Sequence, residues 1–154
     1  MNHNERTIEK FAKDKLVELG FSPDQFKWTN RRTEGGDCVF IDGKFSHITV
    51  SKQLLHVKGV EFSRDVVLHE LAHAKAGIDV GHGPEWQEWA VKLGAMPEEC
   101  YNLNEGEWYT LSKYVAKCSN GCDYRHYFNR MGRKWQRGGY CCSKCGGSLN
   151  VATL

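Results

Sequence analysis

Residues 65–86 read DVVLHELAHAKAGIDVGHGPEW, and the parsing of this stretch decides the fold. His69 and His73 stand four apart in an apolar, helix-favouring run. At 3.6 residues per turn, their imidazoles lie one above the other on the same helix face. Two neutral ring nitrogens then converge on one point. Glu70 follows the first His and sits beside that point, where a general base belongs. The three residues spell HELAH, an HExxH sequence. A tetrahedral catalytic zinc takes three protein ligands and keeps one position open, so two histidines leave the site one short. His82 is the candidate third. Gly77 and Gly81 interrupt the helical pattern before it, and Pro84 suits the first turn of a new helix, so the chain folds back and His82 can face the pair.

Working outward, Ile8, Phe11, Ala12, Leu16 and Leu19 form one helical face over residues 5–19, with Gly20 as a stop and Pro23 beyond it. From Gln25 to Ser51 the period moves toward two. Phe26 and Trp28 alternate with polar neighbours, and Cys38, Phe40 and Ile41 follow the Gly35-Gly36 turn. Asp42-Gly43 signals a hairpin, and Phe45, Ile48 and Val50 make a third strand. The expectation is a small antiparallel sheet, whose edge strand the sequence does not identify. Ser51 to Leu55 reads as a short helical turn, and Ser63 with Asp65 as the start of the HExxH helix, Asp65 acting as a dipole partner. Trp86, Trp89, Ala90 and Leu93 stripe the helix opened by Pro84, which stops at Gly94. Trp86 is a candidate wall of the site, and Asp79 a candidate acceptor for a ring N–H of a ligand histidine. Ala95 to Ser112 has little periodicity and reads as a joint. Cys38 and Cys100 have no partner at ligand spacing and read as ordinary thiols.

The tail has a different chemistry. Cys118-x3-Cys122 and Cys142-x2-Cys145 are two close couples separated by 19 residues, the spacing of a four-thiolate tetrahedral zinc site. Cys141 is an alternative to Cys142, but Cys142-x2-Cys145-Gly-Gly places glycine where a knuckle must turn tightly. His126 is not needed with four cysteines present. A closed site of this kind is structural, and a segment this short depends on the metal to fold. Arg130, Arg133, Lys134 and Arg137 are interleaved with rings that include Tyr127 and Trp135. Cations that track phosphates and rings that stack on unpaired bases suit single-stranded nucleic acid, with Tyr127 or Trp135 as the stacking platform.

Composition agrees with two unlike parts. Of 154 residues, 40% are hydrophobic and 12% aromatic, enough for a packed core, and 26% are charged. No apolar run approaches the roughly 20 residues that span a bilayer, so no membrane partner is expected. The polar MNHNERTIEK start lacks the order of a secretory signal. An intracellular protein is therefore expected, in the cytoplasm or at the nucleoid, or in host cytoplasm if phage-encoded. The net charge of +2 hides an asymmetry: residues 1–110 carry 13 Lys and Arg against 18 Asp and Glu, whereas residues 111–154 carry 8 against 1. The tail is the part suited to a polyanion.

The VLHELAHA of Val67 to Ala74, the GHG of Gly81 to Gly83 with Trp86 behind it, and the cysteine-rich tail together resemble the SprT-like zinc metallopeptidases, which include the Spartan proteases. The resemblance runs from about Phe26 to Leu149, and in its compactness the chain is similar to a microbial or phage-type member. It implies an α+β fold. A zincin-like catalytic domain over 1–110, with helices on a small sheet and an HExxH helix, would precede a four-cysteine zinc ribbon over 111–154 that binds DNA. His69, His73 and His82 would hold a catalytic zinc with Glu70 as acid/base, and Cys118, Cys122, Cys142 and Cys145 a structural one, giving two Zn2+ per chain. The implied activity is a DNA-stimulated endopeptidase acting as a monomer on DNA-bound or DNA-crosslinked proteins. Two other classes fit the same residues. One is a non-enzymatic nucleic-acid-binding protein whose first zinc is closed by Asp79 or Glu85. The other is a general metallopeptidase whose ribbon only caps the fold.

Overall fold

The structure, a computed structural model, describes residues 1–96 and 103–154. Cys100 and part of the expected joint lie outside the described residues. The chain forms two compact units, Met1–Tyr101 and Asn102–Leu154.

The first unit opens with helix α1 (His3–Glu18), started by a capping box in which Asn2 and Glu5 each accept the other's backbone N–H. A single 3-10 turn, Pro23–Gln25, leads into strand β1 (Phe26–Thr29). Strands β2 (Gly36–Ile41) and β3 (Lys44–Ser51) form a hairpin, and both loop residues, Asp42 and Gly43, take positive φ as a two-residue turn requires. The sheet order is β1-β3-β2, with β2 antiparallel and β1 parallel to β3. The expectation of an all-antiparallel sheet is therefore corrected. Six residues between β1 and β2 carry the chain across to the other side of β3. Phe26 and Cys38 then flank Ile48 in one row, and Trp28 and Gly36 flank Val50 in the next. Period-two alternation satisfies that face whichever way β1 runs, so the pattern could not report its direction.

Helix α2 (Lys52–Lys58) is capped by the Ser51 side chain. Helix α3 (Val60–Ala76) begins after Gly59, whose φ of 89° breaks the path between the two. The HExxH helix thus starts earlier than Ser63 and Asp65. Ser63 is buried inside it, and Asp65 Oδ1 accepts the backbone N–H of Met96 at 2.8 Å. Helix α4 (Pro84–Leu93) ends on Gly94 in the left-handed conformation. Helix α3 is packed on two sides. Val66, Val67 and Leu71 join the core of Ile8, Leu16, Ile48 and Val50, while Ala72 packs with Trp86 and Ala90.

In the second unit, part of the expected joint is helix α5 (Glu105–Leu111), started by an Asn104/Glu107 capping box. Strands β4 (Tyr114–Cys118), β5 (Arg125–Phe128) and β6 (Leu149–Thr153) form an antiparallel sheet in the order β5-β4-β6, with the short helix α6 (Arg133–Gln136) between β5 and β6. Its buried apolar residues are few: Leu111, Val115, Ala116, Cys118 and Cys142. No helix among the described residues is long and apolar enough to cross a membrane.

Candidate metal centres and the cleft beside them

Gly77, Asp79 and Gly81 all take positive φ, and this turn returns the chain against α3. His82 Nε2 then lies 3.1 Å from His73 Nε2 and 3.1 Å from His69 Nε2. Three nitrogens on a tetrahedral zinc at about 2.0–2.1 Å would stand roughly 3.3 Å apart, so the donor set fits such an ion. No described carboxylate joins the three rings, which leaves Asp79 and Glu85 outside the cluster. Asp79 lines the cleft but makes no hydrogen bond to any of the three rings among the described residues.

Trp86 is fully buried behind the triad, its ring 4.7, 5.4 and 4.5 Å from those of His69, His73 and His82. Its Nε1 donates to the His69 carbonyl at 3.3 Å. The rings are therefore oriented by packing on one indole, the kind of support that fixes ligand direction. Burial, with the neighbouring imidazoles adding to it, pulls His69 and His73 down to about 4. Both are neutral near pH 7, the form that ligates a metal.

A cavity of about 920 Å³ opens at the triad. One wall is α3, through Phe62, Val66, His69, Glu70 and His73, and the other is the edge strand β2 with Gly36, Asp37, Cys38 and Phe40. Glu34, Asp37, Glu61, Asp65, Glu70 and Asp79 all line it, and no described Lys or Arg does. Glu70 is 8% exposed and lies outside the histidine cluster. Burial, and then the charge of Asp37, push its carboxyl up to about 8. Cys38 is half-buried, and burial raises its thiol to about 12, so it is an unreactive wall. Two wall residues were missed from sequence. Asp65 pins Met96 at the rim, and Gly36 carries no side chain where the strand meets Glu70. A Gly-Gly pair gave a hint of the second.

In the second unit Cys118, Cys122, Cys142 and Cys145 converge, all four sulfurs within 4.8 Å of one another, whereas Cys141 is exposed and outside the group. Cys118 Sγ and Cys145 Sγ are 3.5 Å apart, close to the roughly 3.8 Å edge of a tetrahedral zinc–thiolate site. Backbone N–H groups of Asn120, Lys144 and Gly147 donate to Cys118, Cys142 and Cys145 at 3.3, 3.4 and 3.4 Å. The Gly147 N–H is the main reason the Cys145 thiol is lowered to about 6. Asn120 Nδ2 also donates to Cys145 Sγ at 3.6 Å, a contact that spacing alone does not announce. The set fits a metal that takes thiolates.

Arg130, Arg133, Lys134 and Arg137 are all exposed, and Lys134 Nζ sits 4.4 Å over the Tyr140 ring. Trp135 stacks on Phe128 at 4.3 Å, and Tyr140 lies tilted against it at 4.2 Å. Those two rings make no pair with each other, so they flank it. His126 stacks on Phe128 and Trp135 and is not among the converging ligands. The Tyr127 hydroxyl donates to Glu105 at 3.2 Å, and Arg125 is ion-paired to the same carboxylate.

A model of the SprT-like family matches residues 5–105. No curated protein and no solved structure matches the chain.

The metal-free protein has a testable pH signature. Glu70 is raised in the folded state, so its contribution is fully present below about pH 4.5 and lost as pH rises through about 8. The two histidines are depressed, so theirs is present above about pH 6.5 and lost as pH falls through about 4. In denaturant melts without metal, Glu70→Gln is expected to exceed wild type at pH 8.5, by up to about 5 kcal/mol, and to converge with it near pH 4.5. Equal stability at pH 8.5 would place the carboxyl in water. Separately, a thiol-competing chelator is expected to unfold the second unit, seen as loss of the near-UV signal of the Phe128–Trp135–Tyr140 stack.

Proposed function

Because the chain belongs to the SprT-like family, a family associated with metallopeptidase activity, we propose that it is a zinc-dependent endopeptidase for DNA-bound or DNA-crosslinked proteins, stimulated by DNA. The observation that carries the reading is the convergence of His69, His73 and His82 with no fourth described protein ligand, beside a buried glutamate in an open cleft. A closed, purely structural site would need Asp79 or Glu85 within that cluster. The helix-borne HELAH, the turn to His82 and the edge strand β2 facing them support a zincin-like reading.

In this reading a substrate segment adds to the free edge of β2 as a strand, its backbone held by main-chain hydrogen bonds. Zinc, when bound, polarises the scissile carbonyl and lowers the pKa of water toward about 7. Glu70 takes the proton of the attacking water and passes it to the leaving amine. It must be ionised to do so, and a dication held by the three nitrogens favours that form against the burial that opposes it. Trp86 keeps the ligand rings in place and excludes solvent from behind them. Of the carboxylates in the cleft, Glu34 and Asp37 pair with Arg31 and Glu61 with Arg64, so the lining keeps a net acidic charge that favours basic polypeptide over phosphate, which suits proteins that bind nucleic acid.

The four-cysteine unit would hold a second, structural zinc and bind single-stranded DNA. Arg130, Arg133 and Arg137 are exposed and make no ion pair among the described residues, and Lys134 lies with them. Tyr127 makes no ring pair among the described residues and is the better stacking platform, since Trp135 is flanked by two rings. Its part is to raise the local concentration of substrate. With such substrates the proposed place of action is the cytoplasm or the nucleoid, or host cytoplasm if the protein is phage-encoded.

Glu70→Gln is expected to keep zinc while cleavage of a DNA-binding protein falls at least about a hundredfold. His73→Ala is expected to lose both. Fragments from a clean Glu70→Gln preparation at the wild-type rate would end the role given to that residue. Single-stranded DNA is expected to accelerate wild type, and Arg130→Ala/Arg133→Ala/Arg137→Ala to abolish the acceleration and lower the salt dependence of DNA binding by about three contacts, while cleavage of a free peptide stays unchanged.

A further inference from the structure

Strand β2 meets the helix that carries Glu70 closely at Gly36, a residue without a side chain. A Cβ placed on Gly36 would lie 2.5 Å from the Thr49 carbonyl oxygen, 2.7 Å from Val66 Cγ1 and 3.1 Å from Glu70 Cγ. Val66 and Glu70 are one turn apart on α3 and form a single ridge, which presses into the gap that Gly36 leaves. The backbone does not demand a glycine here, since Gly36 is not among the positive-φ residues and any residue can adopt its strand conformation. What is demanded is space. Glu70 is 8% exposed and makes no hydrogen bond or ion pair among the described residues, so packing alone sets the direction of its side chain.

We infer that Gly36 is a positioning residue: its missing side chain sets the separation between the edge-strand backbone and the Glu70 carboxyl. A polypeptide added to that edge is thereby presented to the carboxyl at one distance. The inference rests on the endopeptidase reading for its catalytic consequence, but the geometry it describes does not. A displacement near 1 Å is enough to matter, because catalysis loses about a hundredfold for a misplacement of that size.

The test uses the full-length protein and two variants that fill the gap from opposite sides, Gly36→Ala and Val66→Ile. With zinc loaded, both are expected to keep wild-type metal content and a KM within about threefold, while kcat falls at least about tenfold. In the metal-free protein, alkylation of Cys38, which faces the same side of β2 two residues on, is followed by mass-mapped peptides. It is expected to quicken at least about fivefold in Gly36→Ala as the strand lifts from α3. A folded, zinc-loaded variant at wild-type kcat with unchanged Cys38 labelling overturns the inference. So does a fall in kcat accompanied by loss of zinc, since the effect would then run through the ligands. Should Gly36→Ala fail to fold, Val66→Ile is read by the same criteria. If wild type cleaves nothing, the endopeptidase reading has failed, and Cys38 labelling still decides whether Gly36 sets the strand-to-helix distance.

Discussion

Three imidazoles, with His82 Nε2 3.1 Å from Nε2 of both His69 and His73, impose the constraint on which the cleft of the first unit depends. Neutral rings so close gain little from one another, and packing them together removes each from water. The arrangement is compensated when a cation takes the three lone pairs. Two histidines are supplied by one turn of α3, and that helix is immobilised because it is buried on two sides, against the α1–sheet core and against α4. The third arrives through a turn with three positive-φ residues, and Trp86 closes the back of the cluster.

The same burial that orients the triad acts on Glu70 in the opposite electrical sense. Desolvation makes the histidines resist protonation and the glutamate resist ionisation, so without a metal the site prefers to be uncharged. A dication held by the three nitrogens would favour the ionised carboxylate while keeping the imidazoles neutral. The surrounding carboxylates extend that bias along the cleft, and the acidic character of the first unit contrasts with a second unit whose exposed cations are mostly unpaired.

The second unit solves a different problem. Its buried apolar residues are too few to hold three strands by themselves, so order comes from four converging sulfurs, the N–H groups aimed at them, and a column of stacked rings. Trp135 stacks on Phe128 with Tyr140 tilted against it, and the arginines around it are exposed.

Much of this was legible because it is local. The four-residue spacing of His69 and His73, the glycines before His82, the Asp42-Gly43 hairpin and the paired cysteines each encode a geometry within a few residues, and the structure places them accordingly. The starts of α1 and α5 were equally local, carried by Asn-x-x-Glu capping boxes that hydrophobic periodicity overlooks. What the chain order left open was decided by contacts between distant segments. These are the parallel seating of β1 beside β3, the choice of β2 as the edge that faces the triad, the use of Asp65 to hold Met96, and the pressure of Val66 and Glu70 on Gly36. Alternation and spacing describe which face of an element is buried, but not which neighbour buries it. That choice belongs to packing, where long-range partners compete for the same apolar face.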